Sequence, residues 1–228
     1  MSAPVCTIPF EIAPFRLTGT VYGTLLNHRS ALAQLGGKAA QPPYNAPPRA
    51  PVLYIKPRNT LAASGDAVEI PAGMSELEAG PCLGLVIGRT ACRVPEKGAL
   101  HHVAGYVIVN DVSVPHDTFY RPSIRFKARD GFCPLGPAVV PRDAVADPDA
   151  LTLRTYVDGV LVQTASTADL MRSAATLLAD VTEFMTLIPG DVLALGVAWP
   201  APRVRAGQRV NIAADKLGTL SNEFVAAR

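Results

Sequence analysis

Long apolar runs are missing from this chain. No stretch of its 228 residues approaches 18 continuous apolar positions, so no helical membrane span is expected. Excess charge is missing as well. Charged residues make up 18% and the formal net charge is +2, which excludes the basic footprint of a nucleic-acid binder. Basic residues are scattered except for Arg121, Arg125, Lys127 and Arg129, which with Asp130 beside them read as a local anion site. Cysteine is scarce: Cys6, Cys82, Cys92 and Cys133 form no CxxC pair, which argues against a zinc ribbon or a thioredoxin-type centre. No charged segment precedes Cys6 and no long apolar run follows it, so a signal peptide is not expected. A chain of this length folds without disulfides, and reduced thiols and a cytoplasmic location are the expectation.

What is present is enough apolar residue, 49%, to bury a substantial core. Residues 36–51 are rich in Gly, Pro and Ala, including Pro42-Pro43 and Pro47-Pro48. They read as an irregular segment. This divides the expected organisation into an N-terminal segment at 1–50, either a linker or a cover over a site, and a main body at 51–228. Thr18 to Leu26 looks like a strand. Val52 to Ile55, Cys82 to Ile87, Val103 to Val109 and Val192 to Leu195 are short continuous apolar runs, as expected of strands buried on both faces. Arg209 to Ile212 is a further strand. Leu151 to Val157 alternates and leads through Asp158-Gly159 into Val160 to Thr164, which predicts a hairpin with a type I′ turn. Ser166 and Asp169 have capping-box spacing. Leu170, Ala174, Leu177, Leu178, Val181 and Met185 follow at helical intervals, which predicts one helix over about 168–187, stopped by Pro189-Gly190.

Several segments resemble the fumarylacetoacetate-hydrolase-like family, in the family's order. They are Val86-Ile87-Gly88, Val103 to Tyr106 with Asn110 to Ser113, Lys127 to Pro137 (KARDGFCPLGP), Gln163 to Leu170 (QTASTADL) and Phe184 to Val192 (FMTLIPGDV). Leu26 to Ser30 (LNHRS), Ile55 to Thr60 (IKPRNT) and Phe119 to Gly131 (FYRPSIRFKARDG) are similar to one branch of the family. That branch decarboxylates and isomerises intermediates of bacterial 4-hydroxyphenylacetate breakdown. In it two similar family domains occur in tandem or as separate subunits, and this chain resembles the first. The resemblance implies an α+β, mainly β fold: a mixed β-sheet roll with one long helix. It implies a dicarboxylate substrate bearing a 2-oxo or 2-hydroxy acid, such as 5-carboxymethyl-2-oxo-hex-3-ene-1,7-dioate or 2-hydroxyhepta-2,4-diene-1,7-dioate. A homodimer, or a heterodimer with a paralogous subunit, is the implied assembly.

The family holds Mg²⁺ or Mn²⁺ with a Glu-x-Glu pair on one strand and an Asp on a later one. A hard cation bound by oxygens can stabilise an enolate as a Lewis acid. Counted back from Gly88, the two Glu positions fall on Gly80 and Cys82, and the Asp position falls on Asp111. One carboxylate is a poor site for a hard cation, and a thiolate is too soft a ligand to help. Glu76 and Glu78 lie upstream with matching parity and would need a register shift to serve. The family's proton-transferring His and Glu positions fall on Ala31 and Gln34, with His28 as a candidate substitute. The family's Thr near the substrate carboxylate is Val197. Lys127 matches the family's active-site lysine, and the alternative is an ion pair with Asp130 or another acid. Arg121, Arg125 and Asp130 are candidates for holding the far end of the substrate, since Arg pairs with carboxylate bidentately. His101-His102 and His116 match no family ligand position, and Cys133 reads as a buried thiol. Three functions remain open: an enzyme subunit of that pathway, a catalytically silent family domain that supports an active paralogue, or a metal-free tautomerase using Lys127 and His28.

Overall fold

A computed structural model describes residues 20–116 and 124–227. Cys6 and Arg121 lie outside the described residues. The strands are β1 (Val21–Leu25), β2 (Val52–Lys56), β3 (Leu61–Ala63), β4 (Ala67–Ile70), β5 (Leu77–Glu78), β6 (Pro81–Ile87), β7 (Val103–Asn110), β8 (Cys133–Pro141), β9 (Thr152–Val157), β10 (Val160–Ser166), β11 (Val192–Ala194), β12 (Arg203–Val204), β13 (Arg209–Ala214) and β14 (Gly218–Ala226). The α-helices are α1 (Arg29–Leu35), α2 (Ile124–Lys127) and α3 (Ala174–Phe184).

Seven strands form one curled sheet in the order β2-β1-β11-β6-β7-β8-β3, and five form a second in the order β10-β9-β13-β14-β4. Both are mixed: β1 runs parallel to β11, β3 to β8 and β14 to β4, among otherwise antiparallel pairs. The fold is the mainly β roll expected. Strand β1 lies inside the larger sheet, between β2 and β11, although it belongs to the segment expected to precede the main body.

The continuous apolar runs of β6, β7 and β11 are explained by two buried faces on the large sheet, whereas the Val52 to Ile55 run, expected to be buried on both faces, forms the edge strand β2 and leaves Ile55 exposed. On β6, Leu83, Leu85 and Ile87 enter the main core, while Cys82 and Val86 point into the roll interior. Tyr106 and Ile108 against Val107 and Val109 on β7 repeat the division, as do Leu193 against Val192 and Ala194 on β11. A period of two therefore separates two cores, not core from solvent. The second sheet buries one face only, and β9 alternates strictly, with Leu153, Thr155 and Val157 inward.

The predicted hairpin joins β9 to β10, with positive φ at both Asp158 (50°) and Gly159 (82°). The helix is shorter than the spacing suggests. Ser166 caps only a 3-10 turn at Thr167–Asp169 by accepting from the Ala168 N–H. Ser173 is the working cap of α3, accepting from the Thr176 N–H at 3.1 Å, and Asp149 accepts from the Ala174 N–H at 2.8 Å. Ala174, Leu177, Leu178 and Val181 then face the core.

Candidate functional site

Lys56 ends β2 and Asp111 directly follows β7. Asp111 is buried, and its position is held by backbone bonds to the chain leading into β6. The Asp111 N–H donates to the Gly80 carbonyl at 2.7 Å, and the Gly80 N–H donates to Asn110 Oδ1 at 2.8 Å. Two ammonium groups flank its carboxylate: Lys56 Nζ lies 2.9 Å from Oδ1 and Lys127 Nζ lies 2.7 Å from Oδ2. The Tyr54 hydroxyl donates to Oδ2 as well, and Lys127 Nζ sits 4.9 Å from the centre of the Tyr54 ring.

Lys56 is almost wholly buried, which a charge tolerates only with full pairing. Its ammonium donates to three carbonyls, Val112 at 2.7 Å and Lys127 and Phe132 at 2.8 Å each. Those bonds use its three N–H donors, so the approach to Asp111 Oδ1 is an ion pair rather than a hydrogen bond. Burial pushes the Lys56 pKa down, opposed by the Asp111 charge. Burial pushes Asp111 up, but the charges of Lys127 and Lys56, with hydrogen bonds from Lys127 and Tyr54, prevail and hold it well below the carboxylate range. Burial, then the Asp111 charge, lifts the Tyr54 phenol well above its usual value. Two lysines against one aspartate leave a net charge of +1 in the group.

The residues do not fit a divalent cation. Both Asp111 oxygens already face a cation. At Gly80 an added Cβ would lie 2.8 Å from the Asp111 carbonyl carbon and nearer still to its oxygen, so that position admits no glutamate without a shift of backbone. Cys82 points into the apolar roll interior, and burial, followed by the Asp111 charge, raises its thiol far above the normal range. Among the described residues no group of three His, Cys, Asp or Glu side chains is arranged to hold a metal. Glu76 and Glu78 are engaged by Arg203, at 3.4 and 3.1 Å, and Glu76 also by Arg205 at 3.6 Å.

Lys127 and Asp111 open on a small cleft of about 70 Å³ that also exposes Glu78, Ser113, His116 and Val197. Glu78 reaches it because its backbone pairs with Ser113, N–H to O at 2.8 Å and back at 3.1 Å. Burial raises the Glu78 pKa, against the lowering influence of Arg203 and Lys127. Ala31 lines the cleft and Gln34 lines the wider adjoining cavity of about 360 Å³, where Lys38 and Arg203 also lie. The two positions carried over for proton transfer are thus at the site, with side chains that move no proton.

The structure brings together only part of the sequence-derived set. Lys127 and Asp111 meet, and the partner acid of Lys127 is Asp111 rather than Asp130. Asp130 is exposed and accepts from Asn59 Nδ2 at 2.6 Å. Arg125 is exposed on α2 and away from the cleft lining. His28 caps α1, with its Nδ1 2.8 Å from Ser30 Oγ, and packs near Cys82 and Ser166 instead of Lys127. Burial lowers its pKa, opposed by Asp169. Tyr54 and Lys56 carry no role in the sequence-derived set, and Glu78 enters it only as a metal ligand that would need a register shift. The available signal was a lysine closing an apolar strand, VLYIK, where a buried ammonium demands a carboxylate. Tyr54 two residues earlier shares its face.

The family model described as fumarylacetoacetate (FAA) hydrolase C-terminal matches residues 20–225. The 4-hydroxyphenylacetate degradation bifunctional isomerase/decarboxylase of Salmonella dublin is 44% identical over 210 residues, 92% of this chain and 48% of that protein. The chain therefore spans about half the length of the curated relatives it matches. The crystal structure of 5-carboxymethyl-2-hydroxymuconate delta-isomerase from Mycobacterium smegmatis superposes with a TM-score of 0.79 at 30% identity, covering 93% of this chain and 80% of that one. Fumarylpyruvate hydrolase from Pseudomonas aeruginosa, in complex with Mn²⁺ and pyruvate, gives 0.79 at 25% identity, covering 91% and 90%.

Proposed function

Because the chain belongs to the fumarylacetoacetate hydrolase family, we propose that it is one half of a 4-hydroxyphenylacetate-pathway isomerase/decarboxylase, the half that works without a divalent cation. Its partner is a paralogous family domain that carries the metal. The substrates of the assembly are 2-oxo or 2-hydroxy dicarboxylates, 5-carboxymethyl-2-oxo-hex-3-ene-1,7-dioate and 2-hydroxyhepta-2,4-diene-1,7-dioate. The observation that carries this is the Asp111 carboxylate, the one remaining member of the family's metal set, held between Lys56 at 2.9 Å and Lys127 at 2.7 Å. A lysine ammonium here takes the electrostatic place of a metal ion: it neutralises Asp111 and leaves positive charge facing the cleft. Unlike a metal ion, it cannot chelate two substrate oxygens through open coordination positions.

The test is calorimetric titration with Mn²⁺ and Mg²⁺, together with light scattering of the chain mixed with a metal-bearing family domain. No metal uptake and formation of a mixed complex are expected. Uptake of one Mn²⁺ per chain would overturn the metal-free assignment. Absence of any complex would overturn the pairing. The 2-hydroxydiene dicarboxylate turned over by the mixture, with EDTA sensitivity residing in the partner, would complete the case.

A further inference from the structure

We propose that the cleft is itself an enolisation site for 2-oxo acids, with Glu78 as the base and the Lys127 ammonium as the electrophile. The inference rests on the metal-free assignment above and goes beyond it, since a purely supporting half needs no reactive groups. Four observations lead to it. Glu78 and Lys127 line the same cleft. The Glu78 side chain is only 13% exposed and is oriented by Arg203, which engages Oε1 at 3.1 Å. That leaves Oε2 as the oxygen assigned to the substrate proton. Lys127 is buried over the Tyr54 ring and directs one of its three N–H donors at Asp111, within a cluster whose net charge is +1. Charge of that sign and place suits an oxyanion as it forms.

The step balances without a metal or redox partner. The C2 carbonyl oxygen of the 2-oxo acid takes a hydrogen bond from Lys127. Glu78 Oε2 removes a proton from C3. The C3–H electron pair becomes the C2–C3 double bond, and the carbonyl π pair moves onto the oxygen beside the ammonium. Return of a proton from Glu78 to C3 regenerates the ketone, and exchange of the Glu78 proton with solvent, through the adjoining cavity, labels C3 in heavy water.

The experiment follows deuterium entry into the methyl group of pyruvate by proton NMR, using the EDTA-treated chain in heavy water. Exchange above the blank is expected, indifferent to EDTA. In Glu78→Gln its maximal rate falls by about 100-fold or more, while half-saturation by pyruvate stays within about threefold, since the neutral amide preserves shape. Glu76→Gln removes another carboxylate from Arg203 but does not touch the cleft, and it keeps the parent rate. Equal loss in both variants would mean a structural effect of the Arg203 network and would overturn the assignment. So would an unchanged Glu78→Gln, or no exchange by folded chain. Exchange appearing only with added Mn²⁺ would instead overturn the metal-free assignment itself.

Discussion

Asp111 stands between two buried lysines, and the direction of charge imbalance makes the residues separable by mutation. Asp111→Asn leaves two ammonium groups facing each other without a counter-ion, a loss on the order of 3–5 kcal/mol. Lys127→Met leaves Lys56 and Asp111 as a balanced pair, so its loss of stability is clearly smaller. Urea midpoints of the two variants decide the matter, and equal losses would refute the +1 count. The thiols offer a second residue-scale test. Burial lifts Cys133 to about 12 and Cys82 higher still, whereas Cys92 is exposed. Since the thiolate is the reactive form, iodoacetamide at mildly alkaline pH should label Cys92 in the folded chain and reach Cys82 and Cys133 only in denaturant. Mass spectrometry of the modified peptides reads this directly, and a labelled Cys82 would show the roll interior opening. Of these residues, Cys133 was legible as a buried thiol from its apolar surroundings. Lys56 is marked in the sequence only as a lysine closing an apolar strand; its partners are mostly backbone carbonyls that no side-chain pattern announces.

Strands and turns were the most legible elements, because their signals are local. Asp158-Gly159 between two alternating runs specifies its turn by the need for positive φ at both positions. At Gly159 an added Cβ would meet nothing within 4 Å, so Gly159→Ala measures backbone strain alone. A loss of about 1–2 kcal/mol is expected, read by thermal unfolding. Gly80, at the entry to β6, is the opposite case. There the backbone conformation is ordinary and the obstacle is the Asp111 carbonyl. The double variant Gly80→Glu with Cys82→Glu restores the family's carboxylate pair on paper. It is nevertheless expected to take up no Mn²⁺ by calorimetry and to lose roughly 1–3 kcal/mol to overpacking. Tight Mn²⁺ binding by that variant would show that the backbone between Gly80 and Asp111 yields. The start of α3 was misplaced by the sequence because two serines with capping geometry lie seven residues apart. Only packing of Ala174, Leu177, Leu178 and Val181 against the core selects Ser173.

For the whole molecule, ligand linkage gives a global test of the same site. A metal binding the native state at 100-fold excess over its dissociation constant would add about 2.7 kcal/mol of stability. The melting temperature is therefore expected to be indifferent to excess Mn²⁺ and to EDTA, and a rise with Mn²⁺ abolished by EDTA would contradict the donor set described. The sequence by itself determined that most strands are buried on both faces, through apolar runs too continuous for a sheet with one wet face, and its resemblance to the family implied the mixed β roll. It also determined the family, and the absence of carboxylates at positions 80 and 82. Tertiary structure alone decided what took their place. Lys56, Asp111 and Lys127 belong to separate elements, and Glu78 reaches the cleft only through its backbone pairing with Ser113. Composition and periodicity record which face a residue turns inward. They do not record which distant charge it finds there, because that depends on how the sheet curls and where the loops close over its open end.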